Sequence, residues 1–366
     1  MYHTIRYAQS WNPPHSNAPT SPHHSNIYKR VVSRALGQSV GGTRSLPEFG
    51  FAQEYEMDNF AQVLRLESGC NFQLGSFAAS PQRDPSRIYA IVISIDRYSS
   101  YALRGCVADA LAMVKCLVQV VGVPEERIQT LLGPKDQHDA DVSSIPSREN
   151  ILSALRSLSP ETDIKCGDPI LFYFAGHGSR YTWPDPDDDK DLGFVEALCP
   201  MDRDTVPDIS DRELNTILSR IHHTGEHPIS IILDCCHSGG ATRSSTVRTV
   251  PPNSLRAMLH AGEEDLKDLL GHESILDKNW RPDLDSHVIV AACGESEFAQ
   301  EVQVAVREGA GYRGAFTKAL INTLRSGALR EGATYEDLFK ALVPHFSSQT
   351  PVIAGGRTKT CLWYQN

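Results

Sequence analysis

Two short segments carry the residues best suited to covalent chemistry. One is Ala175-Gly176-His177-Gly178 and the other is Asp234-Cys235-Cys236-His237-Ser238-Gly239. A thiol attacks a carbonyl as the thiolate, so it needs a base or cation beside it. An imidazole fills that role and can later return the proton to a leaving amine. Glycines on both sides of His177 let a substrate backbone come close. They also leave main-chain N–H groups that, with the N–H of the nucleophile, can form an oxyanion hole. Two adjacent thiols compete for the nucleophilic role, and strand alternation would aim them to opposite faces without saying which one acts.

Both segments follow runs that read as buried strands. Pro169 to Ala175 (PILFYFA) leads into the histidine and Ile229 to Asp234 (ISIILD) leads into the cysteines. Continuous apolar runs of this length mark strands covered on both faces. Ile88 to Ile95 and His287 to Ala292 have the same character, and Arg127 to Leu132 is a further short strand. Helical spacing recurs over Leu103 to Val121, Arg148 to Leu158 (with Ser147 as its cap), Asp211 to His222, Phe316 to Arg325 and Tyr335 to Leu342. A last extended piece is expected near Lys359 to Tyr364. Buried strands alternating with helices give an α/β fold, a mostly parallel central sheet flanked by helices. In such sheets ligands sit beyond the carboxyl ends of the strands, where both motifs fall.

The remaining sequence divides around this core. Residues 1–84 contain a Pro, His and Ser tract from Asn12 to Asn26, with one short helical candidate at Phe51 to Glu67. Such composition buries too little apolar area to repay its ordering entropy, so a mobile extension is expected there. The structured domain is expected over 85–366. Within it 241–285 lacks strand character and reads as a long linker or insertion.

The chain has 366 residues, 40% hydrophobic and 22% charged, with 35 basic against 45 acidic residues and a formal charge of −10. An acidic balance argues against a nucleic-acid or anionic-membrane surface as the main business of the chain. No apolar stretch approaches the roughly 20 residues of a membrane span, and the start lacks the apolar core of a secretory signal. The nine cysteines include no C-x-x-C, which fits reduced thiols in a cytoplasmic protein. The histidines His15, His23, His24, His222, His223 and His227 lack Cys or Asp partners at zinc-ligand spacing. No phosphate-binding glycine motif occurs either, so no cofactor is expected.

The two motifs together resemble the metacaspases, caspase-type cysteine peptidases. Leu103-Arg104-Gly105-Cys106-Val107-Ala108-Asp109-Ala110 is similar to a third metacaspase segment. The likeness extends over about Ile88 to Trp363 and, in finer detail, is closest to fungal caspase-domain proteins. It implies a caspase-like three-layer sandwich. It also implies a cysteine endopeptidase in which Cys236 is the nucleophile, His177 the base, and the backbone N–H groups of Gly178 and Cys236 the oxyanion donors. Position by position, it places Cys106, Asp109, Asp234 and Ala175 around an acidic S1 pocket for substrates with Arg or Lys at P1; Ala175 stands where the family has Ser. Many relatives are activated by calcium, but here the matched positions read Val195-Glu196, Asp211-Arg212-Glu213 and Arg243. Only Asp211 is retained, so weak or absent calcium dependence is expected. The acidic stretch Tyr181 to Leu192 is then a solvated loop. Arg243, Arg248, Arg256, Lys267, Lys278 and Arg281 offer basic points for self-processing. The family's association with cell death extends to this chain only by analogy. The alternative is a caspase-like scaffold that binds partners through its N-terminal extension.

Overall fold

The computed structural model describes residues 84–133, 142–158, 164–183, 194–235, 253–269, 271–294, 297–306 and 309–364. Cys236, the acidic stretch from 184 to 193, Arg243, Arg248 and the N-terminal extension with its helical candidate lie outside the described residues.

The apolar runs form the centre of a six-stranded sheet. Its strands are β1 (Tyr89–Ile95), β2 (Ile128–Gly133), β3 (Ile170–Ala175), β7 (Ile229–Asp234), β8 (His287–Ala291) and β11 (Val352–Ala354), in the order β11-β8-β7-β3-β1-β2. All neighbours are parallel except β11, which runs antiparallel to β8 at the edge. Every residue of β3 and β7 is buried. Successive side chains point to opposite faces, so both faces of the sheet centre are covered. The covering helices fall into two groups. Helix α1 (Cys106–Cys116) packs on β1 and β3 and against α5 (Ala315–Arg325), which in turn meets α6 (Tyr335–Leu342). Helix α2 (Arg148–Arg156) packs on β2 and against α3 (Asp211–Gly225), which contacts β8 and α4 (Leu255–Leu266). The expected α/β sandwich is what the chain adopts.

Several elements differ from the sequence expectation. The helix expected over Leu103 to Val121 is α-helical only from Cys106 to Cys116. It continues as a π turn through Leu117–Val121 and stops at Gly122, whose φ of 94° is left-handed. The stretch 241–285 holds α4, whose Met258, Leu259 and Leu266 are buried. Ser254 caps this helix by accepting a bond from the Ala257 N–H. A Cβ at Gly262 would lie 2.8 Å from Ile275 Cδ1, so glycine allows the helix to approach that loop closely. The extended piece expected near Lys359 to Tyr364 is instead a 3-10 turn at Leu362–Tyr364, and the edge strand lies earlier, at β11. Two hairpin systems were not anticipated. These are the antiparallel set β4 (Gly178–Thr182), β5 (Phe194–Leu198) and β6 (Ile209–Ser210), and the ribbon of β9 (Glu301–Val306) and β10 (Gly309–Gly314).

Candidate active site

Strands β3 and β7 are hydrogen-bonded neighbours, with Ala175 opposite Asp234 in the register. Parallel neighbours lie about 4.8 Å apart. His177 follows two residues beyond Ala175; Cys236, two residues beyond Asp234 in sequence, lies outside the described residues. Cys235 is 1% exposed and packs in the apolar core. Its carbonyl accepts a long contact from the Cys293 thiol at 3.9 Å.

His177 is fully buried and is held by the loop that follows β1. Its Nε2 lies 2.6 Å from the Tyr101 carbonyl oxygen. A carbonyl only accepts, so Nε2 carries the hydrogen, and in the neutral ring Nδ1 carries the lone pair. Tyr101 supplies this carbonyl from a left-handed conformation, with φ 61°, an uncommon state for a residue with a Cβ. The main-chain N–H of His177 donates to Tyr98 Oη at 2.9 Å, and that hydroxyl donates to the Cys199 carbonyl at 3.0 Å. The Tyr98 and His177 rings pack with centroids 4.5 Å apart. Burial holds the Tyr98 hydroxyl well above the usual phenol range, so it stays protonated and able to donate. Gly176 is required by this packing, since a Cβ there would fall 2.7 Å from Tyr98 Oη and 2.9 Å from the Phe174 ring.

Asp109 and Asp234 are both completely buried, and both engage the start of α5. Asp109 pairs with Arg313 Nε at 2.5 Å and accepts from the Gly314 N–H at 2.6 Å. Asp234 accepts from Thr317 twice, from its N–H at 3.2 Å and from its hydroxyl at 2.6 Å. Tyr173 Oη reaches the same hydroxyl at 2.8 Å. Ala175 and Cys106 are likewise buried. Asp109 and Asp234 thus meet at the start of α5, with Arg313 as a cation beside Asp109, while Cys106 opens α1 and Ala175 ends β3.

The start of α1 is organised by two carboxylates from distant parts of the chain. Asp96 accepts from the Cys106 N–H at 2.7 Å, and Glu301 accepts from the Gly105 N–H at 2.8 Å and from the Arg104 N–H at 3.2 Å. Asp96, Cys106 and Glu301 lie close enough together to suggest a metal group. Both carboxylates are, however, already engaged with orphan N–H groups of a helix start, which accounts for their positions without an ion.

The residues at the family's calcium position do not fit a divalent cation. Arg212 places its own charge there: its Nη1 donates to the carbonyls of Ile275 at 2.8 Å and Asp277 at 2.7 Å. Its guanidinium lies over the Trp183 ring at 4.4 Å and near the Trp280 ring at 5.3 Å. Carbonyl oxygens of the kind a hard cation would collect are thus bound by a side chain. Asp211 accepts from the adjacent Arg212 N–H, and Glu213 pairs with Arg148 at 2.7 Å.

Residues 89–244 match a family model described as metacaspase, peptidase C14 domain. Metacaspase-3 of Arabidopsis thaliana is 37% identical over 142 residues, which is 38% of this chain and 36% of that protein. Metacaspase-1 of Arabidopsis thaliana is 28% identical over 255 residues, covering 69% of this chain and 63% of the relative. The chain therefore spans little more than a third of the first of these relatives. A crystal structure of protein GSU0716 from Geobacter sulfurreducens shares the fold, with a TM-score of 0.51 at 21% identity, over 76% of this chain and 99% of that one. Among the described residues no helix is long and apolar enough to cross a membrane.

Proposed function

We propose that the protein is a cysteine endopeptidase, on the strength of the match of residues 89–244 to the metacaspase, peptidase C14 domain model. Cys236 is its nucleophile and His177 its general base and acid. The observation that carries this reading is the bond from His177 Nε2 to the Tyr101 carbonyl, at the end of the strand beside the one that leads to Cys236. It fixes the tautomer whose Nδ1 takes a proton. The burial of Cys235 in the core supports Cys236 as the reacting thiol.

In the reaction Nδ1 of His177 takes the thiol proton, and the Cys236 sulfur forms a bond to the peptide carbonyl carbon. The developing oxyanion is met by the main-chain N–H groups of Gly178 and Cys236. The carbon–nitrogen bond then breaks as His177 protonates the departing amine, leaving a thioester. Water, deprotonated by the same imidazole, attacks the thioester and releases the carboxylic acid and the thiol.

The substrates in this reading are proteins or peptides with Arg or Lys at P1, drawn by buried carboxylates at the strand ends. Asp234 is bound by the neutral donors of Thr317, whereas Asp109 already shares Arg313. Self-processing at basic residues of 241–285 belongs to the same reading. No calcium requirement is proposed at the Asp211 position, because Arg212 already bridges the carbonyls there. The chain is taken as a peptidase domain over 85–366 preceded by an extension, at work in the cytoplasm.

The decisive assay compares Cys236→Ala with Cys235→Ala on a peptide with Arg at P1. Cys236→Ala is expected to lower kcat by about a thousandfold or more, and Cys235→Ala to retain most of it. Undiminished turnover by Cys236→Ala would eliminate the mechanism.

A further inference from the structure

The antiparallel pairing of β4 and β5 sets Gly178 opposite Leu198, so the next pair outward is His177 with Cys199. In an antiparallel ladder, opposed residues of the hydrogen-bonded kind exchange two bonds, each N–H to the other's carbonyl. Here one of the two is made, from the Cys199 N–H to the His177 carbonyl at 3.1 Å. In place of the other stands a hydroxyl. The His177 N–H donates to Tyr98 Oη, and Tyr98 Oη donates onward to the Cys199 carbonyl. A side-chain oxygen is thus inserted where a direct ladder bond would form, and it holds the strands apart at the residue that bears the imidazole.

We propose that Tyr98 is a positioning residue for His177. Its inserted hydroxyl and packed ring set the imidazole so that Nε2 meets the Tyr101 carbonyl and Nδ1 is the nitrogen left to take a proton. Tyr98 has this role only insofar as His177 is the base assigned above, and its hydroxyl bonds to main-chain groups of His177 and Cys199. Three further features converge on it. Gly176 leaves room for the hydroxyl, since a methyl there would press on Oη at 2.7 Å. The ring of Tyr98 lies 4.5 Å from the imidazole. Tyr98 and Tyr101 also belong to one loop, anchored at Asp96, whose carbonyl accepts from the Leu103 N–H at 2.8 Å and whose carboxylate caps α1. A shift of the imidazole would therefore be felt at both its backbone and its ring.

The test is Tyr98→Phe, which keeps the ring and removes only the hydroxyl, so that the His177 N–H and the Cys199 carbonyl can close on each other. Two readouts are compared with wild type. One is the steady-state rate on an Arg-P1 peptide, and the other is the pH profile of Cys236 alkylation by iodoacetamide. The expected result is a fall in kcat of about tenfold or more with KM within about twofold, because misplacement of a base costs rate rather than binding. The midpoint of the alkylation profile should move by about half a unit or more, as the imidazole that supports the thiolate moves. Gly176→Ala keeps the hydroxyl but displaces it. It should shift the same profile, which preserves the test should Tyr98→Phe fail to fold. A folded Tyr98→Phe protein with wild-type kcat and an unmoved profile overturns the role of Tyr98 while leaving the peptidase standing. A wild-type protein whose Cys236 shows no enhanced alkylation at any pH overturns both.

Discussion

Acidifying the protein from pH 7.5 to 5 should destabilise it through one imidazole remote in role from the proposed chemistry. His287 opens β8, is 3% exposed, and makes a contact of 2.7 Å from Nδ1 to Ser286 Oγ. Burial lowers its pKa from 6.5 to about 4; Asp283 partly opposes this and His222 adds to it. Because the folded pKa is depressed, the unfolded chain binds a proton over the window from about 6.5 to 4 that the folded chain refuses. Stability is therefore full above pH 6.5 and is lost as the pH falls through that window. The shift corresponds to about 3 kcal/mol in total, of which about 2 kcal/mol is gone by pH 5. The assay is urea unfolding of Cys236→Ala, chosen to avoid self-cleavage, with and without His287→Gln, at several pH values between 5 and 7.5. Subtracting the variant isolates His287 from His222 and His227, whose pKa values burial also lowers. It likewise removes the opposing contribution of Glu213. A difference curve flat to within about 0.5 kcal/mol would refute the reasoning, since it would mean that the ring protonates as easily inside the fold as outside it.

Glu213 should show the opposite sign. Burial raises its pKa from 4.5 to about 7 against the pull of Arg148, so its contribution is full below about 4.5 and lost as the pH rises through 7. Parent minus Glu213→Gln should fall by about 2 kcal/mol from pH 5 to 8 in urea titrations. Glu301→Ala removes the acceptor for the Gly105 and Arg104 N–H groups at the start of α1. It should cost about 2 kcal/mol in the same assay. Chelation or added calcium should leave peptidase activity within about twofold, and a large activation would show that Arg212 does not stand in for the ion.

The parts of the fold legible in the sequence are those whose signal is local. Strands β1, β3, β7 and β8 are buried on both faces, so their residues are predominantly apolar, broken inside the strands only by Ser94 and Ser230, and need no partner to be recognised. Strand β4 reads Gly-Ser-Arg-Tyr-Thr and exists because β5 pairs with it, and β11 offers three residues, too few for a period to show. Strand β9 did carry a signal, the alternation Val302, Val304, Val306, but it lies in a stretch otherwise rich in charge and glycine. Helix α4 is hard to read in the sequence because its apolar face is interrupted by charges that are themselves engaged, as where Asp265 pairs with Arg148. The same division holds at the site. His177, Asp234 and Cys235 stand next to strands that announce them. Tyr98, Glu301, Arg313 and Thr317 act across 79, 196, 204 and 83 residues, and no local pattern marks such partners. The family resemblance found Asp109 and Asp234 but had nothing to say about the groups that hold them.

Those long-range partners explain why three separated motifs must fold together. The Leu103–Ala110 segment contributes nothing to the strand ends by itself, yet its helix start is tied by Asp96 to the loop that grips His177 and by Glu301 to the β9–β10 ribbon. That ribbon ends in Arg313 and Gly314, which bind Asp109 on the same helix. Three residues beyond Gly314, Thr317 binds Asp234 at the end of β7. A change at any of these carboxylates therefore strips a partner from a buried donor and loosens a segment that bears on the other strand end, so their effects should couple rather than add. Helix N-termini suit this work because each presents several N–H groups that must find acceptors wherever the fold buries them. Carboxylates that look from the sequence like a binding site are thereby also the joints that bring the two strand ends and their loops into one arrangement.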